Sequence, residues 1–264
     1  MVERITSRHN PAVRRFRELA RSRGTGEWML LDGDHLVEEA IRSGVRLDLV
    51  ALAEHMEEER RADIGAHAAR AGATCVVVSA PVLAAMSPVK NPSGVVAIGR
   101  RPSASLDAAL SISPQMVLLL DGIQDPGNFG AIVRAAEACG ATGIVASEGC
   151  ADPFGWKALR GGMGSTFRVR VAARQPMAEA IARARHRGAR VIAAVPRGGV
   201  ALPDCDLRTP SAILLGGEGG GLPEALLDAA DARVSIPMRA PVESLNVAIS
   251  AALVLYEAAR QRSA

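Results

Sequence analysis

Residues 116–141 read MVLLLDGIQDPGNFGAIVRAAEACGA: an unbroken apolar run, a turn at Pro126 and Gly127, and then a helical pattern whose apolar side passes through Ile132, Ala136 and Cys139. An apolar run of five residues closed by turn chemistry is the pattern of a strand buried on both faces, as in a parallel sheet. Asn128 is a good candidate for the helix N-cap. Arg134 lies six positions further on, about 600° of helical rotation, so the two side chains do not share a face.

Working outward, GIVAS, VIAAV and AILL repeat the same signature of short apolar runs separated by helix-like stretches and glycine turns. A parallel α/β sheet is therefore expected after Met116. The last such run leads into AILLGGEGGGLP, residues 212–223, where a strand enters a glycine-rich turn around Glu218. Glycines there let a ligand approach the backbone. The string is not a dinucleotide fingerprint, because Leu222 stands where GxGxxG needs its last glycine, and no GK[ST] follows to make a phosphate loop.

SIPMRAPVESLNVAISAALVLYEAAR, residues 235–260, begins with a short strand ending at Ile236 and a Pro-bounded loop. Leu245, Ile249, Leu253 and Tyr256 then form an apolar stripe, so an amphipathic helix is predicted over Leu245–Gln261, with Ser244 and Asn246 at its first turn. Free backbone N–H groups at such a turn can hold a ligand, although capping by Ser244 accounts for the residue equally well.

Upstream, Gly26–Ala97 reads as one small α/β domain. Strands are expected at Trp28–Asp32, Leu47–Leu52, Thr74–Val78 and Gly94–Ile98, and helices at His35–Ser43 and Glu57–Ala71. GRRPSASLDAALSISPQ, residues 99–115, has the Pro, Ser and Gly content of a linker. Residues 1–23 carry seven arginines against two glutamates, a local excess of +5 that suits a polyanion, though a solvated helix face looks the same.

The 264 residues contain only two lysines, Lys90 and Lys157, so 29 of the 31 basic residues are arginine. Four cysteines show no CxxC pair and no histidine at ligand spacing. Neither a metal site nor a disulfide framework is expected, and reduced thiols in the cytoplasm fit best. No window reaches 18 uninterrupted apolar residues, and the arginine-rich start lacks an apolar core, which argues against membrane insertion or export.

In this order and spacing, the three motifs at 121–141, 212–223 and 235–260 closely resemble the SpoU (TrmH-like) RNA 2′-O-ribose methyltransferases of the SPOUT superfamily. ITSRHNPAVRRFRELA, MLLDGDHLVEEAI and PVKNPSGVVAI are similar to the family's N-terminal substrate-binding domain, itself similar to ribosomal protein L30e. ALRGGMGSTFRVRV, residues 158–171, matches the family's intermediate helix and strand.

The resemblance implies an L30e-like RNA-binding domain over 1–104 and a SPOUT α/β methyltransferase domain over 105–264 with a deep trefoil knot. It implies S-adenosyl-L-methionine as cofactor, held by backbone groups at Gly216, Ile236 and Leu245 with Leu215, Gly217 and Met238 as neighbours. The catalytic arginine maps to Arg134, and the other polar site residues to Asn128, Glu218, Ser244 and Asn246. An arginine is a poor base, so Arg134 is expected to grip a phosphate and stabilise oxyanion charge, although the family is often described with it as the base. Glu218 is expected to fix Asn128 or Arg134 in place.

The family resemblance also implies a homodimer whose active site draws on both subunits. Arg8, Arg14, Arg15 and Arg17 are the candidate RNA contacts, and the N-terminal module favours ribosomal RNA. Transfer RNA, a resistance-conferring rRNA methylation, and a non-catalytic RNA binder with a degenerate knot are the other readings. Two departures from the family pattern are Gly162, where a serine is common, and Asp32, where a glutamate is common.

Overall fold

A computed structural model of the chain describes residues 3–22, 26–111 and 116–263. The chain divides into two compact units: residues 1–102 with 154–167, and residues 103–153 with 168–264. In chain order the first unit is built from β1 (Glu3–Ile5), α1 (Pro11–Arg21), β2 (Trp28–Asp32), α2 (Asp34–Arg42), β3 (Leu47–Ala53), α3 (Glu58–Arg70), β4 (Thr74–Val78), α4 (Ala80–Met86) and β5 (Val95–Arg100). The second opens with α5 (Leu106–Ala109), β6 (Met116–Asp121), α6 (Pro126–Ala138) and β7 (Gly143–Ala146). The chain then gives α7 (Trp156–Gly162) and a 3₁₀ turn, Ser165–Phe167, to the first unit. It completes the second with β8 (Val171–Ala172), α8 (Met177–His186), β9 (Arg190–Ala194), β10 (Val200–Ala201), β11 (Ser211–Gly216), α9 (Glu224–Asp228), β12 (Ala232–Ser235) and α10 (Val247–Ser263).

The first unit's sheet runs β1-β4-β3-β5-β2, with β5 antiparallel to both neighbours and the rest pointing one way. Its strands and helices follow the sequence reading closely. β1 and α4 were not predicted, because three residues and seven residues are too short for a periodicity argument. Phe16 and Val13 of α1 are buried against Leu30, Leu49, Ile98 and Met86, while the arginines between them stay on the outer side.

The second unit's sheet runs β10-β12-β9-β11-β6-β7-β8, and every pairing is parallel. The expected parallel sheet is present, and Met116–Leu120 of β6 are all buried, as an interior strand requires. The expected linker is only partly one. Ser105 Oγ accepts from Ala108 N at 3.1 Å and caps α5, whose Leu106 and Ala109, with Leu110, enter the core beside Val117, Leu119 and Ile181. Residues 112–115 lie outside the described residues. Gly143 makes this seat possible, since a Cβ there would stand 2.1 Å from the Ala109 carbonyl oxygen.

α10 is the largest correction. The expected apolar stripe is on its exposed side: Ile249 is 52% exposed, Leu253 40% and Tyr256 65%. The buried face is Val247, Ala251, Val254, Leu255 and Ala258, and the helix packs against α6. At its far end Gln261 is buried. Its carbonyl accepts from Leu207 N at 2.8 Å, and its amide donates to the Cys205 carbonyl at 2.9 Å and to Glu257 at 2.8 Å. Hydrogen bonding to Arg260, and then to Gln261, holds the Glu257 carboxyl down to about 2. Among the described residues no helix is long and apolar enough to cross a membrane.

Gln261→Leu strands the Leu207 N–H and the Cys205 carbonyl, and is expected to cost about 1–3 kcal/mol in urea unfolding with the m-value unchanged. Gly143→Ala forces backbone apart and is expected to cost about 1–3 kcal/mol in the same measurement, whereas alanine at Gly26, where a Cβ would meet nothing nearer than 4.0 Å, should not.

Candidate active site at the carboxyl edge of the parallel sheet

β6 and β11 pair in register from Ser211 with Met116 to Gly216 with Asp121, so the loops that follow them leave the same edge side by side. Crevices at the carboxyl ends of parallel strands are where open α/β sheets bind ligands. The loops touch: a Cβ on Gly217 would stand 2.0 Å from the Gly122 carbonyl oxygen, and one on Gly216 would stand 2.4 Å from the Gly221 carbonyl carbon. Only glycine permits both approaches, and Gly219 and Gly221 hold φ of +90° and +63° to turn the loop back on itself.

The expected cap of α6 is corrected. Asp125, not Asn128, is the N-cap, and its carboxylate accepts from Asn128 N at 2.7 Å, with Pro126 at the first helical position. The Asp-Pro pair is a readable start signal. The Asn128 side chain is thereby free for other partners. Its Nδ2 donates to Glu218 of the glycine loop, and its Oδ1 accepts from Asn246 Nδ2 at 3.0 Å. One residue from each of the three motifs thus joins a single hydrogen-bonded chain.

Asn246 has a second task. Its Oδ1 accepts from Ala248 N at 2.9 Å and Ile249 N at 3.3 Å, so it caps α10, which starts at Val247 and not at Leu245. Ser244 lies outside the helix, exposed in the preceding loop, and does not cap it. Arg134 is on α6, about one and two-thirds turns beyond Asn128, exposed and without a hydrogen bond or ion pair among the described residues. The six-residue offset is about 9 Å along the axis.

Of the other expected residues, Leu215 is 2% exposed, so its side chain belongs to the core and only its backbone faces the loop. Gly216 and Gly217 are half-buried at the strand end, and Ile236, Met238 and Leu245 are half-buried along the loop between β12 and α10. In the first unit, Arg15 pairs with Asp48 at 2.6 Å, while Arg8 and Arg17 each donate through Nε to a carbonyl, of Pro81 and of Ala85, at 3.2 Å. Arg14 is exposed.

Sequence reasoning passed over Ser147 and Cys150. Ser147 Oγ accepts from Gly122 N at 3.2 Å, and Cys150 Sγ accepts from Ile123 N at 3.4 Å while donating to the Leu120 carbonyl at 3.3 Å. Burial pushes the Cys150 thiol up, so it keeps the proton it donates. These two side chains brace the loop whose Gly122 carbonyl meets Gly217, and a single serine and cysteine carry no spacing signal that would have exposed them.

The SpoU rRNA Methylase family model matches residues 115–256, and a model of the MRM3-like substrate binding domain matches residues 10–97. The chain is 30% identical over 97% of its length to 98% of the 23S rRNA (guanosine(2553)-2′-O)-methyltransferase RlmP of Bacillus subtilis. A crystal structure of an AdoMet-bound rRNA methyltransferase from Sinorhizobium meliloti superposes with a TM-score of 0.87 at 29% identity, covering 98% of both chains. That of an RNA 2′-O ribose methyltransferase does so with a TM-score of 0.84 at 31% identity, covering 99% of this chain and all of the other. With its three motifs meeting at one sheet edge and matches running the length of both units, the chain belongs to the SpoU rRNA methylase family.

Proposed function

We propose that this chain is an S-adenosyl-L-methionine-dependent RNA 2′-O-ribose methyltransferase acting on ribosomal RNA in the cytoplasm. The observation that carries the reading is the chain of hydrogen bonds from Asn246 through Asn128 to Glu218, which ties together the three motifs beside a glycine cradle. The substrate class is supported by the B. subtilis relative's name as a 23S rRNA methyltransferase and by the substrate-binding model over residues 10–97.

The loops suit the cofactor. A Cβ on Gly122, Gly219, Gly220 or Gly221 would meet no heavy atom within 4 Å, so backbone there borders open space, while Gly216 and Gly217 are closed against their neighbours. Backbone groups of Leu215, Gly216, Gly217, Ile236, Met238 and Leu245 would hold it. When bound, S-adenosyl-L-methionine supplies an electrophilic methyl on a positively charged sulfur. Residues 1–104 serve as an L30e-like RNA-binding domain and 105–264 as the methyltransferase domain, folded with a deep trefoil knot. The knot is supported by the path of residues 236–246, which leave β12 and arrive beside Asn128 across the edge where the glycine loop projects. Ordinary folds avoid such threading.

Transfer requires the ribose 2′-oxygen held in line with the methyl at roughly 3 Å, so positioning supplies much of the rate. Arg134, exposed and without a protein partner among the described residues, grips a phosphate of the target nucleotide and stabilises negative charge on the 2′-oxygen. Glu218 accepts one Asn128 amide proton and so fixes which face of that amide meets Asn246. Asn246 and Ser244 orient the ribose or the methionine end of the cofactor. The active unit is a homodimer, and the uncovered stripe Ile249, Leu253 and Tyr256 on α10 supports it, because a contiguous apolar stripe on a helix is an interface signature.

Arg134→Ala is expected to lower methyl transfer at least about 100-fold while leaving cofactor affinity within a few fold, read by labelled-methyl transfer and calorimetry. Loss of cofactor binding would move Arg134 into the cofactor pocket. Mapping 2′-O-methyl positions on total RNA from cells with and without the gene tests the function itself, with one rRNA position expected to vanish. The pair Ile249→Asp and Tyr256→Asp is expected to sediment as a monomer and to lose activity together with dimerisation; an unaltered sedimentation coefficient removes that interface.

A further inference from the structure

β6 and β7 are parallel neighbours with Leu120 level with Ala146, so the segments 122–125 and 147–153 leave the carboxyl edge of the sheet together. The second segment is laced to the first. Ser147 N donates to the Leu120 carbonyl at 2.9 Å, and Ala151 N to the Ile123 carbonyl at 2.7 Å. Between these two bonds the chain makes a turn in which Cys150 N donates to the Ser147 carbonyl at 3.2 Å. That turn brings Ser147 Oγ and Cys150 Sγ to 3.7 Å from each other, both against residues 122 and 123.

Each side chain holds one peptide plane. A trans peptide is flat, with its N–H and its carbonyl pointing opposite ways, so fixing the N–H aims the carbonyl. Ser147 Oγ accepts from Gly122 N at 3.2 Å and orients the peptide that joins Asp121 to Gly122. Cys150 Sγ accepts from Ile123 N at 3.4 Å and orients the peptide that joins Gly122 to Ile123. The carbonyl of that second plane is the one against which Gly217 rests, since a Cβ on Gly217 would stand 2.0 Å from it. The thiol is locked in turn, because it donates to the Leu120 carbonyl at 3.3 Å. Only a protonated sulfur can accept and donate at once, and burial keeps it protonated.

Gly217 is where the glycine loop leaves β11, and Gly122, at φ +68°, turns its α-carbon toward open space beside it. The direction of the Gly122 carbonyl therefore sets where the glycine loop can stand, and with it the width of the cradle. Gly122 is half-buried and Ile123 fully buried, so without Ser147 Oγ and Cys150 Sγ their N–H groups lose their acceptors. An unsatisfied buried donor is costly, and rotation of the two peptide planes toward another acceptor relieves it at the expense of the carbonyl's aim. Ser147 and Cys150 belong to none of the three motifs at 121–141, 212–223 and 235–260.

We propose that Ser147 and Cys150 are positioning residues of the cofactor site: by aiming the Gly122 carbonyl they hold Gly217 and the glycine loop at the spacing that S-adenosyl-L-methionine needs. This rests on the reading of the chain as a methyltransferase that uses that cofactor. The pair supplies no atom to the reaction. Its loss lowers affinity for the cofactor and leaves the turnover of the loaded enzyme nearly as it is.

The test is calorimetry of the full chain with S-adenosyl-L-methionine, joined to methyl transfer onto an unmodified transcript of large-subunit rRNA. Ser147→Ala with Cys150→Ala is expected to bind the cofactor about 10-fold more weakly, with its KM raised in proportion and kcat within about 2-fold. If the double variant does not fold, each single variant serves, with an expected loss of about 3-fold. Cys150→Ser keeps a hydroxyl that can accept and donate, and is expected to recover most of the affinity that Cys150→Ala loses. Gly143→Ala, at the opposite end of β7, costs stability without touching the loop and should leave cofactor affinity as it is. Wild-type affinity in S147A/C150A overturns the proposal, as do equal losses in C150S and C150A, or in G143A and the double variant. Those results leave the methyltransferase reading standing, whereas an unmutated chain that gives no heat with the cofactor brings down both.

Discussion

The second unit depends on two glycine loops leaving neighbouring parallel strands with no room between them. Gly122 and Gly217 are pressed together so closely that neither loop can shift without the other, and Ser147 and Cys150 brace the first from behind. Register between β6 and β11 fixes the relative height of the loops, and the close approach of the Gly122 carbonyl to Gly217 fixes their separation. Glu218 is thereby carried to Asn128, and Asn128 to Asn246. A polar chain of this kind is most effective when each member is held by something else, since a half-satisfied network costs more than it returns.

Asn246 links the site to the fold in a way that is easy to undervalue. The same side-chain oxygen that caps α10 belongs to the amide that reaches Asn128, so the start of the last helix and the geometry of the site are one structural event. At the other end Gln261 pins α10 to the segment Cys205–Leu207. With both ends fixed and Val247, Ala251, Val254, Leu255 and Ala258 buried, the apolar residues Ile249, Leu253 and Tyr256 are left on the outside. Amphipathic periodicity marked a stripe but could not say which of two faces met the core, because the opposite side, Val247, Ala251, Val254, Leu255 and Ala258, is apolar as well.

Cations are distributed by the same logic. Arginine count alone singled out α1, yet Arg8, Arg15 and Arg17 spend donors on Asp48 and on backbone carbonyls of α4. Which charges remain available is a matter of neighbours brought together by folding, and on α1 Arg14 stays exposed without a hydrogen bond or ion pair among the described residues.

Several features were legible without coordinates. Uninterrupted apolar runs gave β6, β7, β9 and β11, period 3.6 gave α2, α3 and α6, and the order of three motifs gave the family. The Asp125-Pro126 cap was also written there and was misassigned to Asn128, because several oxygen-bearing side chains near a helix start are chemically equivalent until the backbone chooses one. Tertiary structure alone decided that residues 128, 218 and 246 share hydrogen bonds, that α5 is core and not linker, and that residues 154–167 pack with the first unit. Periodicity records what each segment buries, while the partner it is buried against depends on distances between segments far apart in the chain, and those exist only once the sheets have formed.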